Sequence, residues 1–306
     1  MDVSESLAAT RAGRLRQETT LALVAALVTV FLWASAFVGI RSAGKTLSPG
    51  ALTLGRLLVA GVVLLLIAAA RGELAPRRED LRAVAPALVA CSLLWFAGYM
   101  ILLNAGERRV DAGTAAMLIG VGPILVAILA GLILREGFPP TLVAGCGIAF
   151  AGVVVIGVAT SNGGSTTFGV ALCVLAACSY AVAVILQKSV IGRLTALQTT
   201  LFCCLIAAAA CLPFTWQLIR ELGDASASAV AWTVYLGVFP TAIGFTTWAF
   251  ALARTNAGTL GAMTYLVPPL SVLLGWLILS ETPPALALLG GALCLGGVAV
   301  IRHGGS

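Results

Sequence analysis

One stretch of the chain, residues 111–157, is repeated 145 positions later as residues 256–302. The two copies align without a gap, and about a third of the aligned residues are identical. The shared positions include an Ala-Gly-Thr triplet, a proline and a single acid, at Ala112–Thr114 and Ala257–Thr259, at Pro123 and Pro268, and at Glu136 and Glu281. A repeat of this length indicates that the fold is assembled from two related units.

The composition places these units in a membrane. Sixty per cent of the 306 residues are hydrophobic and 10% are charged, against about 25% charged in a typical soluble domain. Apolar runs of about 20 residues, each long enough to cross a bilayer, recur along the chain. Turn residues separate the runs and predict ten spans, at about 21–42, 51–70, 84–104, 112–134, 140–160, 167–189, 196–218, 229–250, 257–279 and 285–302.

The spans divide into a cytoplasmic N-terminal segment, residues 1–20, and two five-span units, residues 21–160 and 167–302. Twelve of the 18 Lys and Arg residues fall on the side of the termini, which predicts that both termini are cytoplasmic. Because five is odd, the second unit crosses the membrane in the opposite sense to the first. We therefore predict an all-α polytopic membrane protein, with ten transmembrane helices forming two inverted repeats around a central cavity. Such repeats are typical of secondary transporters.

Enzyme chemistry has no support in the sequence. There is no G-x-S-x-G, Walker A or H-E-x-x-H motif, and the single histidine, His303, lies in the C-terminal tail. The eight cysteines fall within apolar runs without metal-ligand spacing, and are expected to be small buried hydrophobic residues. We expect no catalytic residue, no metal, no cofactor, no nucleic-acid partner and no ATP-binding subunit.

The repeat-equivalent acids, Glu136 and Glu281, are expected either to cap or pin the turns between spans 4 and 5 and between spans 9 and 10, or to relay protons. The prolines at mid-span, Pro123 and the pair Pro268 and Pro269, free backbone carbonyls and predict static kinks or gating points.

Side chains with a polar group at mid-span are the candidates for lining the cavity, because a phenol, indole or amide in the bilayer needs a hydrogen-bond partner. They are Trp33, Trp95, Tyr99, Asn104, Met117, Tyr180, Gln187, Trp248 and Tyr265. The cations Arg41, Arg56 and Lys188 lie near span ends and are interpreted as extending to the interface. With no basic cluster and no acid at mid-depth, the expected substrate is neutral or zwitterionic and partly apolar.

The doubled motif resembles the drug/metabolite transporter superfamily, and is most similar to the EamA-like exporters of bacterial inner membranes. The resemblance rests on Arg109-Val-Asp-Ala-Gly-Thr with Pro123 and Ile-Leu-Arg-Glu136, and on Asn256-Ala-Gly-Thr with Pro268 and Ile-Leu-Ser-Glu281. It implies ten helices, cytoplasmic termini, a cavity formed mainly by spans 1, 3, 4, 6, 8 and 9, and alternating access. Gly120 stands opposite Tyr265 in the repeat, which implies an asymmetric lining.

Members of this family export amino acids and related metabolites, and the mid-span aromatics are similar to those of the aromatic amino acid exporters. The expected function is export of neutral or aromatic amino acids across a bacterial inner membrane, with a small-molecule substrate and membrane lipid as partners. Two alternatives remain open: a multidrug or quaternary-amine transporter, and a non-transporting or lipid-handling scaffold.

Overall fold

The computed structural model describes residues 3–109, 115, 118–160, 166–279 and 284–303. Within these residues every regular element is a helix. The α-helices are α1 (Val3–Ala43), α2 (Pro49–Arg71), α3 (Arg78–Glu107), α4 (Gly122–Ile133), α5 (Pro140–Thr160), α6 (Thr167–Val190), α7 (Ala196–Ala210), α8 (Thr215–Gly223), α9 (Ala227–Leu252), α10 (Ala257–Met263), α11 (Val267–Leu279) and α12 (Ala285–His303).

Length and composition allow seven described helical stretches to cross a membrane, with α10 and α11 counted as one stretch, Ala257–Ile278. The number is eight if the bent pair α7 and α8 counts as one span. Two further apolar helices, Gly122–Ile133 and Ala285–Ile301, are shorter. The chain is therefore a helical membrane protein with several spans. In predicted span 4, helix α4 begins at Gly122 after a turn at Gly120 and Val121, and most of residues 110–117 lie outside the described ranges.

Predicted span 7, residues 196–218, is not one straight helix. Helix α7 ends at Ala210, and α8 follows at an angle of 56° after the short 3₁₀ turn Leu212–Phe214. Pro213 explains the break, because its ring excludes the carbonyl four residues earlier and it has no N–H to donate.

Two helices contain π-helical segments that the sequence analysis did not predict. In α3 the segment is Ser92–Tyr99, and in α9 it is Gly237–Ile243. The two starts differ by 145 positions, which is the offset of the sequence repeat. Both segments lie midway along their helices, so the regular backbone is interrupted at corresponding places in the two halves.

Side-chain contacts define two ends of the bundle. At the first end, Glu73 accepts a hydrogen bond from Thr195 at 2.6 Å, and Asp80 forms an ion pair with Arg193 at 3.9 Å. At the second end, Arg108 donates to the carbonyls of Gly44 and Leu47 at 2.8 and 2.7 Å. The loop after α1 therefore lies beside the end of α3.

Helices α5 and α12 approach each other through glycine. A Cβ atom at Gly290 would lie 2.6 Å from the carbonyl oxygen of Gly152, and one at Gly152 would lie 2.7 Å from the amide nitrogen of Cys294. The backbones thus pack with no room for a side chain, which is a common device for helix association in membranes. Gly147 and Gly296, on the same two helices, have no neighbour within 4 Å of a Cβ.

We predict that Gly152→Ala and Gly290→Ala each destabilise the protein by about 1–3 kcal/mol, because the added methyl forces the helices apart. The matched controls Gly147→Ala and Gly296→Ala should leave stability unchanged or raise it by up to about 1 kcal/mol, through better helix propensity. Thermal unfolding in detergent would measure all four. A Gly290→Ala variant as stable as its Gly296→Ala control would contradict the packing described.

Candidate functional site

A cavity of about 570 Å³ lies between the two halves of the chain. A volume of this size lies within the range of small-molecule binding sites, about 300–1,000 Å³. Helices from both halves contribute to its wall. The lining includes Trp33, Phe37, Arg41, Arg56, Trp95, Tyr99, Asn104, Gly120, Pro123, Ala159, Tyr180, Phe245, Thr264, Tyr265, Pro268, Ser271 and Pro284.

The cavity extends from the middle of the bundle to its second end. Arg41 and Ala159 line it and lie in the last turns of α1 and α5, and Pro284 lines it directly before α12 begins. Its deep lining residues, such as Trp95 and Tyr180, come from the middle of α3 and α6.

Packed aromatic rings form the floor of the cavity. The ring centroid of Trp33 lies 5.9 Å from that of Trp95 and 5.0 Å from that of Trp248, and Phe245 lies 5.0 Å from Trp95. The indole nitrogen of Trp33 donates to the carbonyl of Pro240 at 3.3 Å. Because this carbonyl lies in the π-helical segment of α9, the irregular backbone helps to hold the floor in place.

The cavity lining contains several of the candidate side chains. Those in the lining are Trp33, Trp95, Tyr99, Asn104, Tyr180 and Tyr265, together with the prolines Pro123 and Pro268. Repeat-equivalent Gly120 and Tyr265 both line it, so the asymmetry noted in the sequence falls within the cavity.

Three predicted residues lie elsewhere among the described residues. Trp248 donates from its indole nitrogen to Oε1 of Gln187 at 3.0 Å, and this buried pair packs behind Trp33, outside the lining. Pro269 packs near Gly291 of α12, outside the lining. Met117 and Glu281 fall outside the described residues.

Arg56 corrects the interpretation that this cation extends to the interface. It is only 5% exposed, it lines the cavity, and its Nε donates to Oγ1 of Thr241 at 3.0 Å. A sequence signal was present, because Thr53 and Arg56 are three residues apart and share one face of an apolar helix. Thr53 in turn accepts a hydrogen bond from Nδ2 of Asn104 at 3.2 Å.

Several polar groups of the lining are buried without a hydrogen-bond partner among the described residues, among them Oδ1 of Asn104 and the hydroxyl of Tyr265. Buried polar atoms are nearly always hydrogen-bonded, to protein, water or ligand. The cavity wall therefore carries unused hydrogen-bonding capacity beside an apolar floor.

The first end of the bundle is held by Glu136 and Lys188. Both carboxylate oxygens of Glu136 accept backbone N–H groups at the start of α10, from Ala257 at 2.8 Å and Gly258 at 3.1 Å. The ammonium of Lys188 donates to the carbonyls of Leu252 and Thr255 at 2.7 and 2.6 Å. A carboxylate at a helix N-terminus and a cation at a helix C-terminus are both electrostatically favourable.

Glu136 caps α10, a helix of the other half of the chain, so its contacts reach beyond the turn between spans 4 and 5. The backbone at Arg135 is left-handed, with φ of 58°, and forms part of the turn that carries Glu136.

We predict that Glu136→Gln loosens the first end by about 1–2 kcal/mol, because an amide offers one acceptor oxygen and no charge to the two N–H groups. Hydrogen exchange of residues 252–258, followed by mass spectrometry, should become faster. The matched control is Glu221→Gln at the second end, where Glu221 accepts from the backbone N–H of Ser48 at 2.6 Å. Glu221→Gln should leave the exchange of residues 252–258 unchanged. If Glu136→Gln also left their exchange unchanged, or if Glu221→Gln accelerated it as much as Glu136→Gln, the assignment of Glu136 would be wrong.

No group of three or more His, Cys, Asp or Glu side chains that could hold a metal is found within the described ranges. All eight cysteines are free. Seven of them are buried, as expected, but Cys178 is exposed on α6.

The family profile and the similar proteins all indicate a transporter. The EamA-like transporter family matches residues 20–158 and again residues 167–302. A protein of Streptantibioticus cattleyicolor named "Probable terminal-alkyne amino-acid exporter" is 36% identical over 282 residues, covering 92% of this chain and 93% of its own. The uncharacterized transporter YdfC of Bacillus subtilis is 33% identical over 93% of this chain and 92% of its own. A solved crystal structure has the same fold, with a TM-score of 0.74 at 23% identity, over 91% of this chain and 95% of that one.

Proposed function

The chain belongs to the EamA-like transporter family, within the drug/metabolite transporter superfamily, and from this premise we propose that it exports neutral, partly apolar amino acids across a bacterial inner membrane. The observation that carries the proposal is the cavity between the halves, with an aromatic floor and two cations, Arg41 and Arg56, on its wall. An amino acid with an apolar side chain matches both surfaces. The name of the Streptantibioticus relative, an exporter of terminal-alkyne amino acids, supports the same substrate class.

We propose further that ten helices form two inverted repeats. Gly145 lies against Gly297, and Gly152 against Gly290. Gly290 is the repeat equivalent of Gly145, and Gly152 is the repeat equivalent of Gly297, because each pair is 145 positions apart. Exchanging the two repeats therefore converts the first contact into the second and leaves the interface between α5 and α12 unchanged. The two helices are antiparallel at this interface, because the residue number rises along α5 from Gly145 to Gly152 while that of the contacting glycine in α12 falls from Gly297 to Gly290. Such a relation supports a two-fold axis perpendicular to both helices.

Two further observations support the repeat. Cys294 donates from Sγ to the carbonyl of Ala149 at 3.4 Å, and these residues are themselves 145 positions apart. The family profile also matches the chain twice, with limits close to the proposed units at residues 21–160 and 167–302.

Alternating access follows from this arrangement, because two similar halves can pack in two ways of similar energy. With the termini in the cytoplasm, as the distribution of Lys and Arg favours, the first end is cytoplasmic and the cavity faces outward. Glu136 and Lys188 would then close the cytoplasmic side. No ATP-binding subunit or cofactor enters the proposal.

The alternatives from the sequence are less compatible with this lining. A quaternary amine would face two cations, Arg41 and Arg56, without a carboxylate among the described residues of the lining. A lipid-handling scaffold would be expected to present a lipid-filled groove, in place of an aqueous cavity between the halves.

We predict that purified protein in liposomes catalyses counterflow of L-propargylglycine, L-leucine or L-phenylalanine. Ala159→Trp should reduce this exchange by roughly tenfold or more, because an indole near the mouth fills space that the substrate must cross. Val158→Trp is the matched control: Val158 neighbours Ala159 but is 61% exposed, so its exchange should be retained.

Folded wild-type protein that exchanged no amino acid would overturn the proposal. Exchange of tetraphenylphosphonium in the same liposomes would then favour the multidrug alternative. Equal loss in the Ala159→Trp and Val158→Trp variants would show that the cavity described is not the route.

A further inference from the structure

The cavity wall holds one guanidinium well below the bundle surface. Arg56 lies seven residues after Pro49, the first residue of α2, which places it about 10 Å along the helix. Its Nε donates to Oγ1 of Thr241 at 3.0 Å, and Thr241 donates to the carbonyl of Leu236 at 2.6 Å. Thr241 is completely buried within the π-helical segment of α9. The guanidinium is therefore held in a fixed orientation.

Arg56 has no ion-pair partner among the described residues. Tyr99 and Glu107 interact with it electrostatically, and neither forms a hydrogen bond or an ion pair with it. An unpaired buried cation is costly, so a protein retains one where an anion compensates it. A planar guanidinium also offers a fork of N–H donors that matches the two oxygens of a carboxylate.

The other half of the chain shows that the fold does not need a cation here. Ser48 and Thr195, the N-cap residues of α2 and α7, are 147 positions apart. The same offset relates Arg56 to Cys203, which is completely buried and uncharged. Packing at this position is therefore compatible with a small neutral side chain, and the charge at Arg56 calls for another explanation.

An acceptor lies on the same wall. Asn104 is 4% exposed and is fixed through Nδ2 to Thr53, on the same face of α2 as Arg56. Its Oδ1 is buried and accepts nothing from the described residues. The wall thus combines a donor fork with an open acceptor, and the rings of Trp33 and Trp95 lie on the floor.

We propose that Arg56 binds the carboxylate of the transported amino acid, that Asn104 receives its ammonium group, and that its side chain points to the aromatic floor. This inference rests on the proposed function and adds the residue that recognises the α-carboxylate. Thr241 is a positioning residue, because it orients the guanidinium without contacting substrate.

The test compares L-propargylglycine with its amide, which keeps the side chain and the ammonium but lacks the carboxylate. Both compete for binding to wild-type protein, Arg56→Gln and Arg56→Lys, and the quenching of tryptophan fluorescence reports occupancy. Arg220→Gln is the matched control, since Arg220 is exposed on α8 at the same end. Thermal unfolding verifies that each variant is folded.

We expect wild-type protein to bind the amino acid about 10- to 100-fold more tightly than its amide, because a hydrogen bond between charged groups contributes about this factor to affinity. Arg56→Gln should lose this preference through weaker binding of the amino acid, with the amide bound as before. Arg56→Lys should recover part of it, because charge is kept but the fork is lost. Arg220→Gln should behave as wild type.

An Arg56→Gln variant that keeps the wild-type preference would overturn the inference while leaving amino-acid export intact. A preference lost in Arg41→Gln but kept in Arg56→Gln would overturn it as well, by assigning the carboxylate to the other cation of the wall. Wild-type protein that binds neither compound nor any amino acid would overturn the proposed function itself, and this inference with it.

Discussion

In a bilayer, each backbone donor or acceptor that leaves the regular helical pattern must find a partner inside the protein, because lipid supplies none. The irregular segments of this structure obey that constraint through side chains of neighbouring helices. Ser179 donates to the carbonyl of Leu94 at 2.6 Å, within the π-helical segment of α3. Trp33 donates to the carbonyl of Pro240, within that of α9. The interruptions therefore face the protein interior, where the cavity lies, and their partners come from α6 and α1.

The same constraint explains how one end of the bundle is closed. The connection between α9 and α10 leaves N–H groups and carbonyls without helical partners. Glu136 satisfies two of the N–H groups, and Lys188 satisfies two of the carbonyls. Glu136 comes from the first half of the chain and Lys188 from the second, so both halves hold this connection. Closing the end is thus coupled to the relative position of the halves, which is the position that would change in the proposed alternating access.

Much of this structure could be predicted from the repeat. The fixed offset pairs prolines and acids of the two halves, and mid-span polarity selects Trp33, Tyr99 and Tyr265, which lie in the cavity lining. The rotation of each helix about its axis could not be predicted, because an apolar helix in lipid has no polar face to mark its outside. Arg56 was consequently placed at the interface, and Trp248 was placed in the cavity. The π-helical segments were missed because i→i+5 bonding has no distinct residue pattern, and the partner of Glu136 is more than 100 positions away in the sequence.

Similar backbones in the two halves do not require similar linings. The proposed alternating access needs two packings of comparable energy, and the paired glycine contacts between α5 and α12 are compatible with this need. Recognition has the opposite requirement, because an amino acid has a carboxylate at one place and a side chain at another, with no two-fold symmetry. Where the chain departs from its own repeat, as with Gly120 opposite Tyr265 and Arg56 opposite Cys203, it would distinguish the ends of the proposed amino-acid substrate. Since a ligand shifts two states only by its differential affinity for them, the proposed site would trap neither state if it bound the substrate equally well in both.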